Sequence, residues 1–233
     1  GSLEGDPVLN PEIGRASLVR HNSPPHLDGN SKRRGSWSGG VARERQSQTS
    51  HQRSEPAMTR GTKFQRIDQR IVPDYDRQVL EARAELSRLR PSHSKKKAKA
   101  LGRLGMLLLA HEKTAQEGLQ LLNQACEIAA QNNHQRLAAA NGIRRATAFQ
   151  YCGDHAQAVA VFNDVLELIT RMRLRKLRDF ALQHKGKCLA EMGDDAGAHE
   201  CFIEALRIRK QRKATDLISS TTRAISAIKR TRR

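Results

Sequence analysis

The chain has 233 residues and a formal net charge of +18, with 28% of its residues charged and only 3% aromatic. This composition excludes one compact globule from end to end, because too little apolar and aromatic surface is present to bury. The four cysteines form no CxxC pair in a chain that is not cysteine-dense, so we expect reduced, buried thiols rather than a disulfide framework.

No apolar run approaches the roughly 20 residues that cross a bilayer, and the N-terminal stretch has no apolar signal core. We therefore predict a soluble protein with a cytoplasmic location, or a nuclear one in a eukaryote. Phosphate-loop, serine-nucleophile, zinc-protease and dinucleotide motifs are all absent from the sequence. We accordingly predict that the protein is not an enzyme and uses no cofactor and no metal.

The N-terminal part of the chain divides at about residue 60. Residues 1–60 are rich in Ser, Gly, Pro and Gln, and their sparse apolar residues follow no period, which predicts a disordered basic and polar tail. Residues 61–95 are expected to hold a leading helix at 74–90, in which apolar residues recur at helical spacing until Pro91. Its phase suggests a degenerate leading repeat.

The rest of the chain shows helical periodicity and no strand pattern, which predicts an all-α fold. Three helix pairs are expected within residues 96–210, and residues 211–233 are expected to form a capping helix and a basic tail. The predicted helices span residues 96–111, 115–131, 135–151, 155–171, 177–192, 196–210 and 215–229.

A repeat with a period of 40 residues underlies these pairs. The segment "YCGDHAQAVAVFNDVL" at 151–166 aligns without a gap with "EMGDDAGAHECFIEAL" at 191–206. A glycine that ends the first helix, an alanine at the closest helix approach and a phenylalanine that fills the space between repeats all recur. These residues are Gly153 and Gly193, Ala158 and Ala198, and Phe162 and Phe202, with Gly118 matching the alanines in the first pair.

This pattern resembles the tetratricopeptide repeat. The 40-residue period and the missing proline after the second helix match long-helix variants, such as kinesin light chains and Rap- or MalT-like regulators. Gly142 stands where a large apolar residue is normal, so we expect the middle repeat to be weakened locally. The resemblance implies an α-solenoid of antiparallel helix pairs, whose first helices line a concave groove that holds a peptide or a partner helix.

The resemblance implies a non-enzymatic protein–protein interaction module, a scaffold or adaptor. Its expected groove surface is mixed and mildly basic, which suits an amphipathic or acidic segment of a partner. An alternative within the same family is a sensor or assembly subunit in which ligand binding changes the superhelix. The residues expected to line the groove are Ile143, Arg144, Thr147, Gln150 and Tyr151 on the middle pair, and Gln183, Lys187 and Glu191 on the last pair.

The distribution of charge supports a second hypothesis, that basic flanks bind nucleic acid or another anionic surface. Residues 101–207 hold 13 basic and 12 acidic residues, whereas residues 208–233 hold 9 basic and 1 acidic residue. No exposed aromatic ladder for stacking on single strands is evident. The candidate anion-binding residues are Lys95, Lys96 and Lys97, together with Arg171, Arg175 and Arg178, which share one face if residues 170–179 are helical.

Histidines and cysteines in the last helix pair are the residues of the sequence that most resemble a metal-binding or catalytic site. His184 and Cys188 are four residues apart, and His199 and Cys201 lie on the partner helix, a spacing open to a zinc site or a Cys–His dyad. Both cysteines adjoin packing residues in the sequence. We therefore favour buried structural thiols over a reactive site.

Overall fold

The computed structural model describes residue 64 and residues 72–231. Within that part the chain is all-helical and contains no strand, and helices adjacent in sequence pack successively into an α-solenoid, which confirms the predicted fold class. The predicted disordered tail lies outside the described residues. The helices are α1 (Tyr75–Ser87), α2 (Ser94–Leu108), α3 (Ala115–Gln131), α4 (Gln135–Tyr151), α5 (His155–Arg171), α6 (Arg175–Glu191), α7 (Asp195–Gln211) and α8 (Thr215–Thr231).

The 40-residue period has a simple origin in helix length. Each helix from α3 to α8 has 17 residues. Three residues separate each of these helices from the next, so two helices and two turns make one period. Because the helices from α3 to α8 have the same length, equivalent positions of successive pairs recur at the same height in the solenoid.

The turns between the helices from α3 to α8 share a residue in the left-handed backbone conformation. Gly153 and Gly193 adopt left-handed backbone conformations, with φ of 84° and 87°. Asp154 and Asp194 then cap the next helix, since their side chains accept hydrogen bonds from the backbone N–H groups three residues later. The turns on the other side also use a left-handed residue but not glycine, a feature that sequence analysis missed. These residues are Asn133, Arg173 and Lys213.

The repeated small and aromatic residues form the packing between helices, as the repeat predicts. Ala158, Ala198, Phe162 and Phe202 are all completely buried. Val165 fills the space next to Gly142, where a Cβ would lie only 2.5 Å from one of its methyl groups, and the expected local weakening stays a prediction. A close helix approach therefore takes the place of a large apolar side chain.

The N-terminal end is less regular. Helix α1 has 13 residues and packs on α2, and it ends three residues earlier than expected, where the last N–H groups bond to carbonyls three residues back. A short 3₁₀ turn, Glu112–Thr114, lengthens the connection between α2 and α3. Within residues 72–231 no helix is long and apolar enough to cross a membrane.

Candidate functional site

The helices α2, α4, α6 and α8 contact one another in order and form one continuous side of the solenoid, which we call the first-helix face. Phe64, which precedes α1 in the chain, lies at the far end of this face. Its side chain is 8% exposed and belongs to an apolar cluster from α6, α7 and α8. The face therefore accommodates a side chain that comes from outside the repeats.

Two contacts define the orientation of the Phe64 ring. The ring of Phe202 on α7 meets it edge to face, with 5.9 Å between centroids. The Nζ atom of Lys187 on α6 lies 6.0 Å from the centre of the Phe64 ring, at the limit of a cation–π contact. We call this arrangement the Phe64 seat. The other apolar residues in its cluster are Ala190, Ala198, Ala224, Ile225 and Ile228.

The opposite end of the first-helix face receives Val72. This residue packs against apolar clusters that include Met106 and Leu109, at and just beyond the end of α2, and Tyr151 at the end of α4. Only seven residues join Phe64 to Val72, so the two anchors are at most about 29 Å apart.

On α4, the predicted groove residues are buried. Ile143 is 1% exposed and belongs to an apolar cluster with residues of α5 and α6, and its role in binding stays a prediction. Thr147 donates a hydrogen bond to the Ile143 carbonyl and lies 3.5 Å from His184 on α6. Gln150 and Tyr151 are 2% and 8% exposed, and each makes a further interaction of its own.

Arg144 is 2% exposed, and its Nη1 atom donates to Asn141 at 2.9 Å, beside Gly102 of α2. This arginine therefore lies between two first helices instead of pointing into an open groove. The burial has a local cause, since Gly102 has no side chain that would occupy the space. Binding by Arg144 remains a prediction.

On α6, the three predicted residues differ in their surroundings. Lys187 lies in the Phe64 seat, as described above. The Oε2 atom of Glu191 lies 3.1 Å from Nε2 of His155, and the Glu191 side chain is only 6% exposed. Gln183 is 3% exposed and accepts a hydrogen bond from Arg209, while its side-chain nitrogen is buried and has no partner among the described residues.

Sequence analysis missed a buried ionic network behind this face. Asp179 on α6 is completely buried and pairs with Arg209 on α7 at 2.9 Å, and Arg212 reaches its other oxygen at 2.9 Å. Arg209 also donates to the Leu217 carbonyl and to the Thr221 hydroxyl of α8. Because one guanidinium joins three helices, this network fixes how α8 attaches to the last pair.

No family model matches this chain, and a search of curated proteins found no similar sequence. The tetratricopeptide resemblance therefore stays a prediction that rests on the repeat and its spacing.

The starts of the first helices bring basic residues to one edge of the solenoid, which we call the basic edge. Ser94 of α2 contacts His134, just before α4, at 3.1 Å, and Arg136 shares a shallow pocket with residues 173–177 at the start of α6. The first turns of α2, α4 and α6 contain no acidic residue. The exposed cations of this edge are Lys95, Lys96, Arg136, Arg173, Arg175 and Lys176, with Lys97 half-buried.

The condition under which Arg171, Arg175 and Arg178 would share one helical face is not met. Helix α5 ends at Arg171 and α6 begins at Arg175, so a turn separates them and residues 170–179 are not one helix. Arg178 pairs with Glu204 at 2.8 Å, and Arg171 lies 3.9 Å from Glu167. Of the three, Arg175 is the one that joins the basic edge.

The histidines and cysteines of the last pair form no cluster of three or more in the part of the chain that the structure describes. Cys188 lies 3.7 Å from the His155 carbonyl, and the described residues contain no group of three or more His, Cys, Asp or Glu that could hold a metal. Burial raises the pKa of the Cys126 thiol to about 11, and it also raises the pKa of Cys201. Thiols of this kind are poor nucleophiles near neutral pH.

Proposed function

We propose that this chain is a tetratricopeptide-type interaction module, a scaffold or adaptor that binds a peptide or helix of another protein on its first-helix face. The observation that carries the proposal is the Phe64 seat. An aromatic side chain from outside the repeats lies there against α6, α7 and α8. A surface that accepts one segment by an apolar anchor is suited to accept another.

Polar residues on the first-helix face support the same proposal. Gln183, one helical turn before Lys187, has a buried amide nitrogen without a partner among the described residues, a donor that a partner's carbonyl reaches only if neighbouring side chains move. Lys187 and Tyr151 lie on neighbouring first helices and supply a cation and an aromatic hydroxyl. Such a mixture favours a peptide with both apolar and acidic groups.

We expect the double variant Tyr151→Ala and Lys187→Glu of the full chain to recover its partner proteins at least tenfold less well than the unchanged chain. The expectation follows because the variant removes the α4 contact and reverses the charge at the seat. Quantitative co-purification with mass spectrometry measures the recovery. The matched control, Leu80→Ala and Lys99→Glu, makes the same types of change at exposed positions of α1 and α2.

Recovery equal to that of the unchanged chain, with the control also unchanged, would exclude the first-helix face as the binding site. Circular dichroism of both variants separates a lost contact from lost folding. A partner that is lost with both variants would point to a general loss of charge or stability instead.

A second function is favoured by the basic edge, namely binding of a nucleic acid through its phosphates. We expect a 20-base-pair duplex to bind with an affinity that falls steeply with salt, at about 0.9 log unit per log unit of salt for each phosphate contact. The variant Arg136→Glu, Arg175→Glu and Lys176→Glu should lower that slope by two to three such contacts. Fluorescence anisotropy at several salt concentrations measures the slope.

The control for this experiment reverses three arginines on and next to α1: Arg77, Arg83 and Arg88. It has the same net charge as the basic-edge variant, so an equal effect of both would assign the binding to overall charge. Salt-independent binding, or no binding at 150 mM salt, removes this second function.

A further inference from the structure

Four cations line one cavity between the starts of two first helices. One comes from the first turn of α4, and the others come from the turn before α6 and from its first two residues. The cavity has a volume of about 250 Å³, and no described acidic residue lines it. We call it the cationic pocket. Its lining residues are Arg136, Arg173, Leu174, Arg175, Lys176 and Leu177.

The charges of the cationic pocket are not neutralised within the described part of the chain. All four cationic side chains are exposed, and none of them forms an ion pair with a described residue. The first carboxylate along α6, that of Asp179, is buried and pairs with Arg209 and Arg212 instead. An incoming anion therefore meets four cations that no described carboxylate neutralises.

The turn itself does not require these charges. Arg173 has a left-handed backbone with φ of 54°, and Asn133, at the equivalent position 40 residues earlier, has the same conformation with φ of 55°. Gln135 likewise begins α4 at the position that Arg175 holds in α6. Because the chain builds the same turn with uncharged residues, the two arginines are available for a role in binding.

Two leucines give the cationic pocket an apolar side. Leu177 is 2% exposed and belongs to an apolar cluster from α4, α5 and α6, against which the half-buried Leu174 packs. The helices α4 and α6, which carry cations of the pocket, also contact each other directly. The core of the solenoid thus holds the walls in place, and carbon atoms of a ligand can lie on the leucines while its anionic groups face the cations.

Charge and size together select the class of ligand. The pocket supplies four positive charges, and a phosphate monoester carries about 1.5 to 2 negative charges at pH 7. Two such groups match the pocket, whereas each phosphodiester of a nucleic-acid backbone supplies a single charge. The volume lies just below the roughly 300–1,000 Å³ of pockets for drug-sized ligands, which favours a compact molecule. Three of the four cations are arginines, whose planar guanidinium groups can bind phosphate through two parallel hydrogen bonds.

We propose that the cationic pocket binds a compact anion with two neighbouring phosphate monoesters, either a soluble phosphorylated ring or the same group on a lipid headgroup. Because Arg136 belongs to α4 and the other three cations to the start of α6, the ligand links two neighbouring first helices. The inference goes beyond both functions proposed above, since it needs neither the first-helix face nor a nucleic acid.

The experiment uses the full chain and inositol 1,4,5-trisphosphate, which carries two of its phosphates on adjacent ring carbons. The pocket variant is Arg173→Asn with Arg175→Gln, which copies the residues at positions 133 and 135 and so preserves the turn. The matched control, Lys95→Gln with Lys96→Gln, removes two charges from the same basic edge but outside the pocket. Isothermal titration calorimetry at 150 mM salt measures the affinity, with sulfate as a single-anion comparison.

We expect the unchanged chain to bind one trisphosphate saturably, and the pocket variant to bind it at least tenfold more weakly, because two groups that hydrogen-bond phosphate are lost. The control should differ from the unchanged chain by less than twofold, and sulfate should bind at least tenfold more weakly than the trisphosphate. Circular dichroism confirms that both variants are folded.

Co-sedimentation with phosphatidylcholine vesicles, with and without phosphatidylinositol 4,5-bisphosphate, distinguishes the two sources of the ligand. Binding to the bisphosphate vesicles as well as to the soluble trisphosphate supports the proposal with a lipid headgroup as ligand. Binding to the soluble trisphosphate alone supports it with a free phosphorylated molecule as ligand.

Equal weakening by the pocket variant and the control would assign the binding to overall charge and would overturn the proposal, as would the absence of saturable binding. Sulfate that binds as tightly as the trisphosphate would also overturn it, as would binding to vesicles without binding to the soluble trisphosphate. If the pocket variant weakens binding of a duplex but not of the trisphosphate, the second function stands and this inference fails. The reverse result supports the inference and leaves the first-helix face as a separate question.

Discussion

Replacing Asp179 by alanine is expected to lower the free energy of unfolding by about 3–5 kcal/mol, the usual cost of breaking a buried ion pair from one side. The carboxylate is completely buried, and both of its oxygens are used, by Arg209 and Arg212. Without it the guanidinium of Arg209, which is 2% exposed, loses this carboxylate and is left with the neutral acceptors of Gln183, Leu217 and Thr221. Urea denaturation followed by circular dichroism measures the loss.

The matched control is Glu204→Ala, which breaks the ion pair with Arg178. That pair also joins α6 to α7, with an N–O distance of 2.8 Å, but both side chains are 35% exposed. Pairs at this exposure contribute up to about 1 kcal/mol. If Asp179→Ala lowered the free energy of unfolding by no more than Glu204→Ala does, the buried network would not be the interaction that holds α8 on the last pair.

Replacing Phe202 by alanine is expected to lower the free energy of unfolding by about 3–5 kcal/mol, because it leaves a cavity at the centre of the last pair. Phe202 is completely buried between helices, where a Cβ on Gly186 would lie 2.7 Å from its ring, and it also forms the base of the Phe64 seat. The same denaturation experiment measures the change.

Ile203→Ala provides the control for Phe202 from the next position on α7. Ile203 is 46% exposed, so its truncation should change the free energy of unfolding by no more than about 0.5 kcal/mol. Because repeat arrays are stabilised mainly by contacts between neighbours, the Phe202 variant should loosen α6 to α8 more than α2 to α4. Hydrogen exchange that weakens all helices equally would contradict this expectation.

The helices and their turns could be predicted from the sequence because their causes are local. Apolar spacing set the helix ranges, and Gly153 and Gly193 with the following aspartates marked the turns to within a residue or two. The comparison of segments 40 residues apart also identified Ala158, Ala198 and the two core phenylalanines correctly as packing residues. Because the same residue types recur at the same positions of both copies, each copy supports the packing role assigned to those positions in the other.

The candidate site was less predictable because burial there depends on residues distant in the sequence. Positions 143 and 183 are equivalent in the repeat, yet Ile143 packs in apolar core while Gln183 bonds to Arg209. Arg209 lies in a run of basic residues whose composition is typical of an exposed surface. The sequence therefore did not indicate that this side chain is buried. Phe64 carried one signal, as the sole phenylalanine before residue 149, but nothing local in the sequence indicates where it docks.

The sequence by itself therefore determined that this protein is a helical array with a 40-residue period, since helix periodicity and turn chemistry act over a few residues. Only the tertiary structure decided which polar residues become buried between first helices and that Phe64 lies against α6, α7 and α8. Those outcomes depend on contacts between residues that are 30 to 140 positions apart. The local sequence around either residue does not indicate which distant residue it contacts.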